Sequence, residues 1–460
     1  MPFDCVVMGG TAVFPDLGER PADIAIRDGR IAALLAPGES AGSARATIDA
    51  RGRHVFPGLI EAHMHWGLGE KITEYSTETA TAAQGGFASV VGHFLASVPY
   101  SEIFAAECAA AAARAFVDFG FHFGMATEAH MAELPLYIEE LGVPSFKYFT
   151  NFKGDEGLYL GLTGTDDGFM VELMERLARY PQALLAVHPE NIELVRRARL
   201  KFQSEGRATL KDWSLAKPPL TEAADTLRAM YYAEQTGCPI YFVHASAKLA
   251  LDEIARFRRR YPRIHVETCP QYLTHTLESD AGTIGKANPP FREAADVAAL
   301  WQGLADGSIE VVGADHVPRK RATKEKNIWQ ASQGFPGTAT ILPVLLSEGY
   351  HKGRLTLQRI AQLLAANPAR LFGLDQRKGG LFVGADADLT LVDLAKERVV
   401  RAAELGSYAD YSLYDGWRFK GWPVMTMVRG EVVMREGEVV GRAGHGQYLK
   451  RPLAANQAAS

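Results

Sequence analysis

The sequence predicts an α/β protein: a TIM-type (β/α)8 barrel carrying a small β-sandwich built from both chain termini. Three observations point there. Short apolar runs alternate with Ala-rich, helix-patterned stretches over residues 56–372, the signature of parallel βα units. β-rich text flanks this region on both sides. The span of roughly 300 residues fits a closed barrel.

Residues 1–55 hold "CVVMGGTAVF", "ADIAIRDGRIAALL" and "ATIDARGRHV", β-rich runs punctuated by Gly, Asp and Pro. Helical text begins later, with "EIFAAECAAAAARAFVDFG", "DGFMVELMERLARY", "EAADTLRAMYYAEQTG" and "LALDEIARFRRRY". After "IAQLLAANPARLFGL" the β pattern returns over residues 373–440. There "GADADLTLVDL" and "WPVMTMVRGEVVMREGEVV" alternate apolar and polar residues, with turns at Arg429-Gly430 and Glu436-Gly437. The two flanking segments pair most simply into one sandwich. Residues 441–460 read as a C-terminal tail, loose over "RPLAANQAAS".

Composition narrows the function. The 460 residues are 47% hydrophobic and carry a formal net charge of −5. Nucleic acid is an unexpected partner, because phosphate binding needs concentrated Lys and Arg. The longest basic cluster, Arg256 to Arg263, reads as a solvated helix face before a Pro turn. The four cysteines (Cys5, Cys108, Cys238 and Cys269) are scattered and form no C-x-x-C pair, which argues against disulfides and thiolate zinc. No signal-type N-terminus and no apolar run of about 20 residues is present. A cytoplasmic location without membrane association is the expectation.

In such barrels chemistry sits where strands end at the carboxyl face. Five apolar runs each close there on a potential ligand. "HVFPGLIEAHMHWG" delivers His63 and His65, "VPSFKYF" carries Lys147, and "QALLAVHPEN" ends on His188. "CPIYFVHAS" ends on His244, and "SIEVVGADHVP" on Asp315. Alternate strand residues share a face, so His63 and His65 point the same way. Imidazoles so placed suit zinc or a similar divalent ion.

Lys147 is the anomaly. A lysine in an aromatic run can send its ammonium to water, shift its pKa, form an ion pair or be modified. Among metal ions an ammonium would be repelled. A carbamate, formed from the amine and carbon dioxide, would instead be anionic and offer two oxygens. Lys153, in the polar text "NFKGDEG", is the rival lysine and reads as solvated.

These motifs resemble the amidohydrolase superfamily and, within it, the cyclic amidases: dihydropyrimidinase and hydantoinase, allantoinase and dihydroorotase. The resemblance runs through "PGLIEAHMH", "SFKYF", "HPEN", "HASAKLAL", "ETCPQYL", "NPPFR", "GADHVP", "NPARLFGL" and "GADADLTLVD". It extends to "YDGWRFKGWPVMTMVRGEVV", which is most similar to the hydantoinase branch. It implies two divalent metal ions, one held by His63, His65 and Asp315 and the other by His188 and His244. Lys147, as N6-carboxylysine, would bridge them. Zinc suits these ligands, and manganese, iron or cobalt also fit. The implied reaction is hydrolytic opening of a cyclic amide or imide, with Asp315 as proton shuttle and a small cyclic amide as substrate. A homotetramer or homodimer is implied as well. Allantoinase or another ureide, lactam or imide hydrolase is the alternative on the same scaffold, and a non-catalytic scaffold protein is the alternative of another class.

The substrate-binding positions depart from that branch. Phe152 stands where an oxyanion-assisting tyrosine is expected, leaving Tyr148 and Tyr159 as nearby hydroxyls. Asn288 stands in place of a serine, and Gln333 in place of an asparagine. Glu61 replaces a commoner aspartate. Trp66 and Phe152 suggest an apolar pocket, and the absence of a cation just after His65 disfavours dihydroorotase.

Overall fold

The computed structural model describes residues 2–39, 44–153, 157 and 164–451. At its centre is an eight-stranded parallel sheet. In chain order its strands are β1 (Leu59–Trp66), β2 (Phe87–Phe94), β3 (Asp118–Gly124), β4 (Ser145–Phe149), β5 (Leu184–His188), β6 (Ile240–Phe242), β7 (Ile264–Thr268) and β8 (Val311–Val312). The residues just after β8 close the ring. The His65 N–H donates to the His316 carbonyl at 2.9 Å, and the His316 N–H donates to His63 at 3.2 Å. Closure removes the exposed edges that an open sheet would leave.

The helices between strands have identifiable ends. Asp166 caps the helix Asp167–Leu177 by accepting from the Phe169 N–H. The long helix Pro219–Thr236 begins on a proline and stops at Gly237, whose φ of +76° is left-handed. The predicted helical run "EIFAAECAAAAARAFVDFG" is split. Helix Tyr100–Ala112 takes its first part, and Asp118 onward is already β3. Phe119, Phe121 and Phe123 there are fully buried, so packing, rather than the helical text of the preceding alanines, decides the end of the run.

The terminal strands form two further sheets. One has four strands, all N-terminal, and the other has seven drawn from both ends of the chain. In the second, Leu389–Val399 pairs antiparallel with His54–Pro57 on one side and with Arg418–Val428 on the other. Val7, Ile24, Ile26, Val55, Leu389 and Met427 fill the core between the sheets. Both predicted turns have positive φ at both central residues: 45° and 79° at Arg429-Gly430, 52° and 93° at Glu436-Gly437. Right-twisted strands favour turns of that hand.

A buried charge cluster joins these sheets to the barrel. Lys378 Nζ lies 2.9 Å from Asp118, 3.2 Å from Asp386 and 2.5 Å from Asp388. Arg429 also pairs with Asp118.

The C-terminal segment differs from the expected tail. Through residue 451 it is bound to the barrel: the Leu449 N–H donates to the Phe119 carbonyl at 2.7 Å, and the Arg451 guanidinium, 1% exposed, donates to Ser145 Oγ at 2.6 Å. The aromatic face of Tyr448 covers Phe104 and Phe121. The loose tail expected over "RPLAANQAAS" falls, after Arg451, on residues 452–460, outside the described residues.

The basic cluster is also engaged. Arg256 pairs with Glu253, Arg258 with Glu310 and Arg260 with Glu234. Among the described residues, no helix is long and apolar enough to cross a membrane.

Candidate active site

A cavity of about 680 Å³, open to solvent, lies at the carboxyl ends of the barrel strands. His65, Lys147, His188, His244 and Asp315 line it. His63 sits fully buried beneath them. The strand-end rule therefore brings all six predicted ligands to one place.

They fall into two clusters. His63 Nε2 and His65 Nε2 lie 3.2 and 3.1 Å from one oxygen, Asp315 Oδ1. One donor atom from each of these three residues lies within 4.8 Å of the others. On the other side, His188 Nδ1 and His244 Nε2 approach to 2.8 Å. Burial holds His65 down at about 4 and lowers His188 and His244. The three rings are thus kept neutral, the form that ligates metal. His244 and Asp315 have φ of 42° and 51°. Non-glycine residues take that conformation at a cost of order 1–3 kcal/mol, and such strain gathers at functional sites.

Lys147 stands among these clusters. It is 0% exposed, and its Nζ makes no hydrogen bond among the described residues. Burial pushes its amine down to about 8, against the pull of Asp315 and Glu267. A larger neutral fraction makes the amine more nucleophilic toward carbon dioxide. Lys153, by contrast, faces Glu193 at 3.5 Å and is partly exposed.

His65 Nδ1 and His244 Nδ1 are likewise buried without a partner. Each orphaned polar atom costs about 1–3 kcal/mol, and their concentration in one spot calls for an explanation. Burial lowers His63 too, but the Glu267 and Asp315 carboxylates outweigh it and raise the ring to about 9; with three neutral imidazoles, a carboxylate and a convertible amine it forms a donor set that fits a pair of divalent ions.

The second acidic cluster is different. Asp118, Asp386 and Asp388 also group closely, but Lys378 sits among all three. Their charge is already answered by protein.

The predicted substrate contacts divide. Phe152, Asn288 and Gln333 line the cavity. Phe152 stacks on Phe149, with centroids 4.2 Å apart and planes 9° apart, forming an apolar wall. Asn288 Nδ2 donates to Glu190 at 2.9 Å, and Lys217 holds Glu190 at 2.7 Å. Among the described residues, Asn288 Oδ1 has no hydrogen-bond partner.

Trp66 does not belong to the cavity. It is 2% exposed, packs on Tyr75 at 5.1 Å and fills the space that a side chain at residue 92 would need. In a strand it points opposite to His65. The same parity turns Tyr148 away from Lys147, and its hydroxyl donates to the Asp166 carbonyl at 2.9 Å. Tyr148 therefore does not replace the missing hydroxyl at Phe152. Tyr159 lies outside the described residues.

Four residues escaped sequence reasoning. Glu267, fully buried at the end of β7, accepts from His63 Nδ1 at 2.6 Å, from the His244 N–H at 3.0 Å and from the Tyr241 hydroxyl at 2.6 Å. It orients one member of each ligand cluster. His93 and His122 stack below, with His93 centred 4.3 Å from His63 and 4.8 Å from His122. "FASVVGHF" places His93 near the end of an apolar run, the signal that found the other ligands. Arg319 lines the cavity rim, four residues beyond Asp315.

Comparison with known proteins agrees with this geometry. The Amidohydrolase family model matches residues 54–433. The chain is 33% identical to a D-hydantoinase of Ralstonia pickettii, covering 97% of this chain and 99% of that one. It is 31% identical to an L-hydantoinase of Paenarthrobacter aurescens, with 98% of each covered. Among solved structures, a dihydropyrimidinase from Brevibacillus agri superposes with a TM-score of 0.89 at 28% identity, covering 98% of this chain and 99% of that one. By the extent of that family match and the length over which its relatives align, the chain belongs to the amidohydrolase family.

Proposed function

We propose that this protein is a metal-dependent hydrolase that opens the ring of a cyclic amide or imide of the hydantoin or dihydropyrimidine kind. One observation carries the reading: ligand-type side chains from separate barrel strand ends converge on one cavity around a buried lysine whose amine has no hydrogen-bond partner among the described residues. His63, His65 and Asp315 would hold one divalent ion, and His188 and His244 the other. Lys147, as a carbamate, would supply the anionic bridge. Zinc is the metal that this donor set favours. Such ions, when bound, acidify water and polarise the scissile carbonyl.

The protein's own groups do the rest. Asp315 Oδ1 faces both His63 and His65 from the cavity floor. From there its carboxylate takes the proton of the attacking water and delivers it to the ring nitrogen as the C–N bond breaks. Glu267 holds His63 and the His244 backbone in register. The Phe149–Phe152 wall offers the ring an apolar face. Asn288 Oδ1, its amide locked by Glu190, is poised to accept from a ring N–H.

The test couples metal content with product analysis on one sample. Wild type, grown with zinc and bicarbonate, should carry about two metal equivalents and open hydantoin, dihydrouracil or a cyclic imide. Lys147→Ala should lose metal and at least about 100-fold in rate, as expected for removing a charged group at the reacting centre. Full metal content and undiminished turnover in Lys147→Ala would refute the reading.

A further inference from the structure

We infer that Arg319 selects ring substrates whose substituent carries an anionic group, a carboxylate above all. The inference rests on the ring-opening activity proposed above and names the substrate class for that site.

Arg319 lines the rim of the cavity. Its Nη1 donates to the Gln333 carbonyl at 3.4 Å, the outer limit of a hydrogen bond. A guanidinium offers five N–H donors in a planar fork, so most of its capacity is unused. Among the described residues it forms no ion pair. Other cations behave otherwise: Lys217 is matched by Glu190 and Arg292 by Glu222, both pairs buried.

Two buried lysines hold the segment that carries Gln333. Lys324 Nζ donates to the carbonyls of Lys286 and Ser332, and Lys286 Nζ donates to the Ala331 carbonyl. The segment 331–334, which contributes Gln333 to the rim, is therefore fixed by two lysine side chains. Lys286 and Arg319 both repel charge on Lys324, in addition to its burial. An anion at Arg319 relieves that repulsion.

The geometry also separates the two ends of a ligand. The ring would lie against Phe149 and Phe152, with an N–H at Asn288 Oδ1 and its scissile amide at the floor. An arm on the ring then reaches the rim, where the fork matches a carboxylate bidentately. The sequence signal that disfavoured an acidic substrate, the lack of a cation after His65, is answered by a cation supplied from the loop after β8.

The experiment compares a hydantoin bearing a carboxymethyl arm on its ring carbon with the carboxamide isostere. Metal-loaded wild type, Arg319→Gln and Arg319→Lys are assayed on both, with unsubstituted hydantoin and dihydrouracil alongside. Wild type should favour the acid by about 100-fold in kcat/KM, the effect of a bidentate charged pair. That preference should weaken as salt rises. Arg319→Gln should erase it, mainly through KM, while lowering the carboxamide far less than the acid. Arg319→Lys should restore part of it. Equal efficiency on acid and carboxamide, or equal losses on both in Arg319→Gln, would overturn the role of Arg319 while ring opening stands. Failure to open any of the four rings would overturn the ring-opening reading, and this inference with it.

Discussion

Glu267→Gln isolates how the site is held. The carboxylate is fully buried and accepts three hydrogen bonds, from His63 Nδ1, the His244 N–H and the Tyr241 hydroxyl. A glutamine amide is nearly isosteric but has one oxygen. Tyr241 can turn its hydroxyl and accept instead, because a phenol both donates and accepts. The amide oxygen then keeps His63 and His244, which share Oε1. The substitution therefore preserves the contacts and removes the charge. Charge-assisted bonds contribute about 1.5–3 kcal/mol and neutral ones about 0.5–1.5. Losing that difference on the His63 bond weakens the basicity of His63 Nε2 by about 1–2 kcal/mol, or roughly 5- to 30-fold in metal affinity. Competition with a chelator, read by metal stoichiometry, should show the ion at His63, His65 and Asp315 leaving first. Unchanged affinity at that site, or a stronger loss at His188, would refute the reasoning. Glu267→Ala is the wrong probe, since it strands three buried donors at about 1–3 kcal/mol each.

Two further substitutions test the architecture. Trp66→Phe should leave kcat/KM within about a factor of 10, since Trp66 lies outside the cavity, yet destabilise the fold by about 1–3 kcal/mol through the void it opens; normal thermal stability with lost activity would return Trp66 to the substrate site. Lys378→Met should cost about 3–5 kcal/mol, because Asp118, Asp386 and Asp388 are left buried together. With an unfolding entropy of about 2.1 cal/mol/K per residue over 460 residues, that is a fall of roughly 3–5 °C in Tm by calorimetry, and no fall would mean that the cluster does not join the sheets to the barrel.

What the sequence made legible follows from period and position. Barrel chemistry gathers at strand ends, so apolar runs closing on His, Lys or Asp could be aligned without knowing any contact. Parity paired His63 with His65. Carried one residue further, it would also have turned Trp66 outward, and Tyr148 away from Lys147. Composition suggests Trp66 as a cavity wall, and closeness to Phe152 suggests Tyr148 as a substitute hydroxyl; neither consideration uses parity. Glu267 was harder: its partner His63 lies 204 positions away, and only barrel closure brings them together. Arg319 sits on a loop with no periodicity to orient it. The residues up to Arg451 carry no strand pattern of their own, and their binding depends on the carbonyl of Phe119 and a hydroxyl at Ser145.

The same contrast separates chemistry from selection. Floor residues lie in paired strands or, for His244 and Asp315, just past a strand's end, where a one-residue slip would reverse every side chain, so their placement is fixed by the barrel itself. Phe152, Asn288, Arg319 and Gln333 lie in connecting segments at the rim, which can change without disturbing strand register. Three of these four are positions where the sequence departs from the hydantoinase pattern, and the fourth, Arg319, brings a charge that the floor does not require. A resemblance that spans the chain therefore speaks strongly for the reaction and weakly for the substrate. If ring opening followed the floor alone, Arg319→Gln would alter all substrates alike; a change confined to anionic rings would place selection at the rim.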